Sequence, residues 1–325
     1  VSSNFHFSGF TPDFILDAIE SLDLTVDSGL LALNSYENRV YQFRASDNRR
    51  YVVKFYRGQR WTEEQLQEEL SFTRELHEHE IPVVAPVVID GKSLHLYEGC
   101  FFALFPSVGG RQFEIDNIDQ IEWVGRLLGR MHRVSSSKTF EHRRNLSKKS
   151  HLTDPRDQLL NSTLIPSAIS HAFFTVLEQL KGLVEERWVE DFTTIRLHGD
   201  CHPGNILWNE QPIFVDLDDC CNGPAIQDMW MMFSGDRQNQ LMQLDAFAEA
   251  YDEFNTFPSN QLALIEPLRA MRMIHYTAWL DKRWQDPAFP RAFPWFADIK
   301  YWEQQILSYK EQIASIQEPS LSLFP

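Results

Sequence analysis

Three residues between Ile195 and Asp219 have the types and spacing needed to move a phosphoryl group. Asp200 is followed five residues later by Asn205, and Asn205 eleven residues later by Asp216. A carboxylate such as Asp200 can accept the proton of an attacking hydroxyl. Asn205 and Asp216 offer hard oxygen donors that suit Mg2+, an ion that keeps several waters and binds few protein oxygens together with nucleotide phosphates. By itself an Asp-x4-Asn pair reads as a turn closed by a side-chain oxygen, and the acidic run at 216–219 as a solvated loop. Context favours chemistry. Ile195 and Leu197 predict a short strand entering a polar loop, and 206–208 and 213–215 predict two further strands around a turn at Asn209 and Glu210. A loop feeding a hairpin returns Asp216 beside Asn205, so that the two can share one ion.

Such a site needs a cation for the phosphates and elements to hold it. Segments 38–44 and 50–56 read as a hairpin around Ser46, Asp47 and Asn48. Strand alternation puts Tyr51, Val53 and Phe55 on one face and Val52, Lys54 and Tyr56 on the other. Lys54, flanked by Val-Val and Phe-Tyr, is oddly placed for a solvated lysine, although a snorkelling side chain is the common case. A carboxylate must fix its ammonium. Thr62 and Gln65 have capping-box spacing, with Trp61 and Leu66 as a hydrophobic staple, so a helix is expected from Glu63. Leu66, Glu69, Thr73 and Leu76 share one strip of it while Glu68 points away, making Glu69 the expected partner of Lys54. Glu63, Glu64 and Glu75 read as a solvated face.

The phosphate-covering turn is expected at 33–38. It has no glycine-rich signature, so backbone N–H groups near Asn34 and Ser35, with the Ser35 hydroxyl, would do that work, or the segment is an ordinary turn. Thr11 and Pro12 open a first helix with an apolar stripe of Phe14, Ile15, Ala18, Ile19 and Leu22. Segments 87–89 and 100–105 read as strands, with Asp90-Gly91 as a turn. Strand character ends at Pro106 and Gly109-Gly110. The expected division is therefore 1–105 as an N-lobe, 106–110 as a hinge and 111–325 as a C-lobe, with adenine meeting the backbone from Phe105 to Ser107.

In the second part an amphipathic helix is expected over 119–132, with His132 as a C-terminal cap. The basic stretch 142–150 reads as an exposed linker or a docking loop. Asp228, near the start of the segment that follows the hairpin, reads as support for the loop rather than chemistry, and His198 and His202 read as loop packing. The remainder is helical and aromatic-rich, its stripes reading as core. Residues 286–296 form a proline-rich loop that could wall a substrate cleft or bind a partner.

Composition sets outer limits. A chain of 325 residues with 43% hydrophobic content can bury a large core, and two lobes are natural at this size. Its net charge of −16 disfavours nucleic acid and anionic membranes as partners. Four cysteines without metal-ligand spacing read as reduced thiols. The first residues lack signal-peptide features, and no apolar run approaches the roughly 18 residues of a membrane-spanning helix. Cytoplasmic residence is the expectation.

The whole set, Asp base, metal-binding Asn and second metal-binding Asp after a hairpin, resembles the catalytic apparatus of protein kinases. H-G-D in place of H-R-D and D-L-D in place of D-F-G resemble the aminoglycoside phosphotransferase and choline kinase branch. At full length, L-N-S-Y-E-N-R-V-Y, V-V-K-F-Y-R, F-P-S-V-G-G-R-Q-F, L-H-G-D-C-H-P-G-N-I-L-W, F-V-D-L-D-D and E-P-L-R-A-M-R are similar to the bacterial stress response kinase A family. That resemblance implies an α+β, bilobal protein-kinase-like fold: a small antiparallel-sheet N-lobe with one regulatory-type helix, and a larger, mostly helical C-lobe. It implies a monomeric, autophosphorylating serine/threonine protein kinase using ATP and Mg2+ in stress responses, with protein substrates. It also implies Ser35 at ATP, Asp200 and Asp216 as active-site residues, and Asn205 with Asp216 at magnesium. The residues alone leave open a small-molecule hydroxyl kinase acting on an amino alcohol, aminoglycoside or sugar, and a nucleotide-binding regulator without turnover.

Overall fold

The computed structural model describes residues 10–33 and 35–323. Asn34, one of the expected phosphate-loop residues, lies outside them. The elements in order are α1 (Pro12–Glu20), β1 (Leu31–Ala32), β2 (Arg39–Arg44), β3 (Arg50–Phe55), α2 (Glu63–Glu78), β4 (His95–Tyr97), β5 (Cys100–Pro106), β6 (Arg111–Gln112), α3 (Ile118–Ser135), α4 (Asp154–Leu160), α5 (Ser167–Arg187), β7 (Thr194–Leu197), β8 (Ile206–Asn209), β9 (Gln211–Phe214), β10 (Cys221–Pro224), α6 (Arg237–Asp252), α7 (Ile265–Arg283), α8 (Ala288–Ala292) and α9 (Ile299–Gln317).

The fold class is α+β, and the chain forms two interleaved units. The first comprises Val1–Glu114, Phe140–Arg143 and His202–Cys220, the second Ile115–Thr139, Arg144–Cys201 and Cys221–Pro325. Packing thus departs from the expected boundaries at 105/106 and 110/111. The β8–β9 hairpin joins the first unit because the Phe214 amide donates to the Pro82 carbonyl at 2.8 Å and Val83 bridges to Phe214.

In the first unit an antiparallel sheet runs β1-β2-β3-β5-β4. Its two faces are chemically different because β3 alternates. Tyr51, Val53 and Phe55 pack with Ile15, Ala18 and Ile19 of α1, while Tyr56 packs with Leu66 and Leu70 of α2 and with Ala103. Thr11 caps α1 with Pro12 in its first turn, and Thr62 and Gln65 close a full capping box on α2. Segment 87–89 does not form a strand: Val87 donates once, to the Leu104 carbonyl at 2.7 Å, and Ile89 turns back on Lys92 through Asp90 and Gly91.

In the second unit α3 and α6 approach closely. Gly125 and Gly129 make this possible, since a Cβ at either would stand 2.7 Å from the carbonyl oxygen of Phe247 or Tyr251. β7 pairs antiparallel with β10, Leu197 opposite Cys221. Residues 286–296 are not an open loop: they form α8 and a 3₁₀ turn at Pro294–Ala297 and bury Phe289 and Phe296 completely. Among the described residues no helix is long and apolar enough to cross a membrane.

Candidate active site

Lys54 sits on the α2 side of β3, opposite Ala103 of β5, and is buried. Its Nζ lies 3.3 Å from Glu69 Oε1, 3.2 Å from Asp216 Oδ1 and 3.1 Å from Asp218 Oδ1. Helical spacing carries Glu69 there: Leu66, Leu70, Phe72 and Thr73 are buried on the same side of α2. Burial works against the ammonium, yet Asp218, Glu69 and Asp216 together hold it well above the ordinary lysine range. Lys54 is therefore a permanent cation.

The two buried acids around it differ. Burial pushes the Glu69 carboxyl up, and Lys54 and Arg143 only partly offset it. Burial also works against ionised Asp218, but Arg60 and Lys54 outweigh it and its carboxyl stays below the usual range. Asp218 accepts from Arg60 Nη1 and from Asn38 Nδ2, the latter at 3.3 Å, while Arg60 Nη2 reaches Asp219 at 2.8 Å.

Asp216 adopts the left-handed conformation, φ 61° and ψ 63°, before a 3₁₀ turn over Leu217–Asp219. Aspartate tolerates that region better than branched residues do. Its side chain is 57% exposed, unlike the 7% of Asp218. The Val215 amide donates to the Asn205 carbonyl at 3.0 Å, so the hairpin sets Asn205 beside the residue preceding Asp216. Among the described residues no three His, Cys, Asp or Glu side chains converge as a preformed metal cage. Hard oxygens on an exposed Asp216 and a half-buried Asn205 fit an ion that takes few protein ligands and completes its shell with water and phosphate.

Of the expected nucleotide contacts, Ser35 is half-buried between β1 and β2. Phe105 is partly buried and packs against the cluster of Tyr56, Leu66, Leu70, Leu94 and Ala103. Ser107 follows the end of β5 and is tied to the sheet: its amide donates to the Arg50 carbonyl at 2.9 Å and its hydroxyl accepts from Gln42 at 2.7 Å.

Asp200 belongs to the second unit and follows β7 through Gly199 at φ 86°. That backbone favours glycine, which accounts for H-G-D. Asp228 holds this loop from behind: Oδ2 accepts the His198 amide at 2.7 Å and Oδ1 the Gly199 amide at 2.9 Å. This is the supporting role expected of it. His132 is no exposed helix cap. It is fully buried, with Nε2 3.3 Å from Asp228 and Nδ1 3.0 Å from the Tyr251 hydroxyl. Asp200 itself receives Nη1 of Arg272 from α7.

An amine held by carboxylates beside an exposed aspartate, and a carboxylate on a glycine-opened loop, are the parts of a phosphoryl-transfer enzyme. Residues 30–262 match the Phosphotransferase enzyme family. The chain belongs to this family. Within it, the chain falls in the stress response kinase A group. It is 52% identical over 324 residues to Stress response kinase A of Escherichia coli (strain K12), covering 100% of this chain and 99% of that protein. It is 50% identical over 321 residues to a protein named Serine/threonine protein kinase RdoA of Salmonella typhimurium (strain LT2), covering 99% and 98%. Amicoumacin kinase hAmiN, solved with AMP-PNP, Ca2+ and Ami, is similar in fold, with a TM-score of 0.73 at 18% identity over 97% of this chain and 96% of that one. The chain is thus a kinase-type phosphotransferase.

Two side chains around Lys54 and Glu69 carry no signal in the sequence: Arg60, and Arg143, which is buried rather than part of an exposed linker, while Asp218 of the acidic run at 216–219 is buried instead of lying in a solvated loop. Asp218 was legible as a neighbour of Asp216. Arg60 and Arg143 lie in loops, where no periodicity marks a buried side chain.

Proposed function

We propose that this chain is an ATP- and Mg2+-dependent serine/threonine protein kinase that autophosphorylates and serves a bacterial stress response, acting as a cytoplasmic monomer. What carries the reading is the Lys54 ammonium, buried and held within 3.3 Å of both Glu69 and Asp216. Near-full-length similarity to a relative named as a serine/threonine protein kinase supports a protein acceptor.

Lys54, fixed by Glu69, binds phosphate oxygens. Ser35 lies on the turn that covers them, and Phe105 and Ser107 flank the adenine. Asn205 and Asp216 would hold Mg2+, which when bound neutralises charge on the phosphate oxygens. Asp200 orients the acceptor hydroxyl and takes its proton as the hydroxyl oxygen bonds to the γ-phosphorus and ADP leaves. Positioning and charge neutralisation do most of the work, because the transition state spreads charge over the phosphoryl oxygens.

A second reading, a kinase for a small hydroxyl compound, draws on the fold similarity to amicoumacin kinase and to an aminopropanol kinase. Incubation with labelled ATP and Mg2+, with and without a generic basic protein and a panel of amino alcohols, separates the two. Label on protein serine or threonine supports the first. Label confined to small molecules overturns it in favour of the second, and no label leaves a nucleotide-binding regulator.

A further inference from the structure

The Lys54–Glu69 pair is braced by a segment remote in sequence, 140–143, whose packing on α2 has the character of a clamp. Arg143 is 3% exposed and uses its whole guanidinium fork. Nη2 donates to Glu69 Oε2 at 2.7 Å, Nη1 to the Asp218 carbonyl at 2.7 Å, and Nε to the Gln65 carbonyl at 2.8 Å. Its guanidinium also lies 4.2 Å from the Trp61 ring centroid. One side chain therefore ties α2 to the D-L-D turn. A planar, fixed fork suits this and a lysine does not, since a single ammonium cannot span three divergent acceptors.

The backbone of the same segment is held from the opposite side of α2. The Glu68 carboxylate accepts the amides of Glu141, His142 and Arg143 at 2.6, 3.0 and 2.7 Å. Successive amides converging on one anion form a nest, a strong and directional contact. Phe140 adds an edge-on ring contact to Phe72 at 5.2 Å. Glu68, which helical geometry turns away from Lys54, thus fixes the loop whose arginine holds Glu69.

We propose that Arg143 and Glu68 form a positioning device that keeps α2 seated and the Lys54–Glu69 pair assembled, so that the nucleotide site is competent without prior phosphorylation of the chain. This rests on the reading of Lys54 and Glu69 as the nucleotide-phosphate site. Every contact of the device lies within the first unit. A helix held by a three-way arginine and a three-amide nest has no need of an added phosphate to bring it in.

The test compares full-length wild type, Arg143→Met, Arg143→Lys, Glu68→Ala and Lys54→Met, each first shown to melt cooperatively. Nucleotide affinity is measured by calorimetry and amide exchange is followed over α2. Arg143→Met and Glu68→Ala are expected to weaken Mg-nucleotide binding at least tenfold, to speed exchange across α2, and to raise KM for ATP more than they lower kcat. Arg143→Lys is expected not to restore affinity. Phosphatase-treated wild type is expected to bind nucleotide as tightly as untreated protein. Affinity within twofold of wild type in both Arg143→Met and Glu68→Ala, or loss of binding on phosphatase treatment, overturns the proposal. Lys54→Met separates the two levels of argument. If it abolishes binding while Arg143→Met and Glu68→Ala do not, the clamp fails and the site reading stands. If Lys54→Met binds normally, the site reading falls and the clamp falls with it.

Discussion

Arg272 of α7 donates its Nη1 to Oδ1 of Asp200, placing a guanidinium directly on the proposed base. The two side chains are 41% and 27% exposed, so solvent screens the pair. It belongs with surface ion pairs of about 0.2–1 kcal/mol rather than with buried ones. Its effect is orientational. Arg272→Met should therefore lower kcat by about fivefold or less and leave nucleotide affinity unchanged, whereas Asp200→Ala should lower kcat by about 10²–10⁴-fold with nucleotide still bound. Steady-state kinetics with calorimetry on both variants checks this. Equal losses in the two would mean that Arg272 does more than orient, and unchanged turnover in Asp200→Ala would remove it from the base role.

Asp216 and Asp218 are two residues apart, yet their surroundings assign them different work. Asp216 is exposed beside Asn205, while Asp218 is buried between Arg60 and Lys54. Asp216→Ala, which puts an alanine at φ 61° and removes one of the carboxylates at Lys54, should cost only about 1–2 kcal/mol of stability and abolish the metal dependence of nucleotide binding. Asp218→Ala leaves buried cations poorly compensated and should cost about 3 kcal/mol or more of stability. Denaturant unfolding and Mg2+-dependent nucleotide titration, run on both variants, distinguish these outcomes. Chelation of wild type should reproduce the binding defect of Asp216→Ala but not the stability loss of Asp218→Ala.

The features legible in the sequence were those that repeat or stay local. Alternation in β3 placed Lys54 away from the α1 core, and a capping box with three-and-four spacing placed Glu69 on the facing side of α2. The Asn209–Glu210 hairpin was readable from its turn and flanking apolar pairs. Long-range pairing was not. Arg143 meets Glu69 across 74 positions and Arg272 meets Asp200 across 72, and a lone arginine carries no periodic signal of its partner. Strand character at 87–89 was overestimated because apolar content does not supply a neighbouring strand. His132 was mistaken for a cap because Tyr251 and Asp228, its buried partners, come from distant segments.

Asp228 is fully buried and accepts two loop amides as well as facing His132. Replacement by alanine would orphan the buried His198 N–H and the part-buried Gly199 N–H, at about 1–3 kcal/mol for a buried group and less for one that water can reach. Asp228→Ala should thus lose roughly 2–5 kcal/mol in urea unfolding and lower kcat through a loosened loop around Asp200. Asp228→Asn keeps one acceptor oxygen and should recover part of the stability. Full stability in Asp228→Ala would show that the loop amides find other acceptors.

All four cysteines are free thiols, and burial decides how they react. Cys100 is the one only half-buried, and its burial pushes the thiol up to about 11. At pH 8 an ordinary thiol near 8.5 is roughly a quarter ionised. Cys100 would then hold about one thiolate in a thousand thiols, although its higher basicity makes each thiolate more nucleophilic, so alkylation should run only about 20-fold slower than for a free thiol. The rate should climb nearly tenfold per pH unit until about pH 11, since the thiolate fraction is what grows. Cys201, Cys220 and Cys221 are buried and should stay unlabelled until the chain unfolds. Pulse alkylation read by peptide mass spectrometry tests both parts. Rapid labelling of Cys100 at pH 8, or labelling of the buried three in native protein, would show that these thiols are far less shielded than their packing implies.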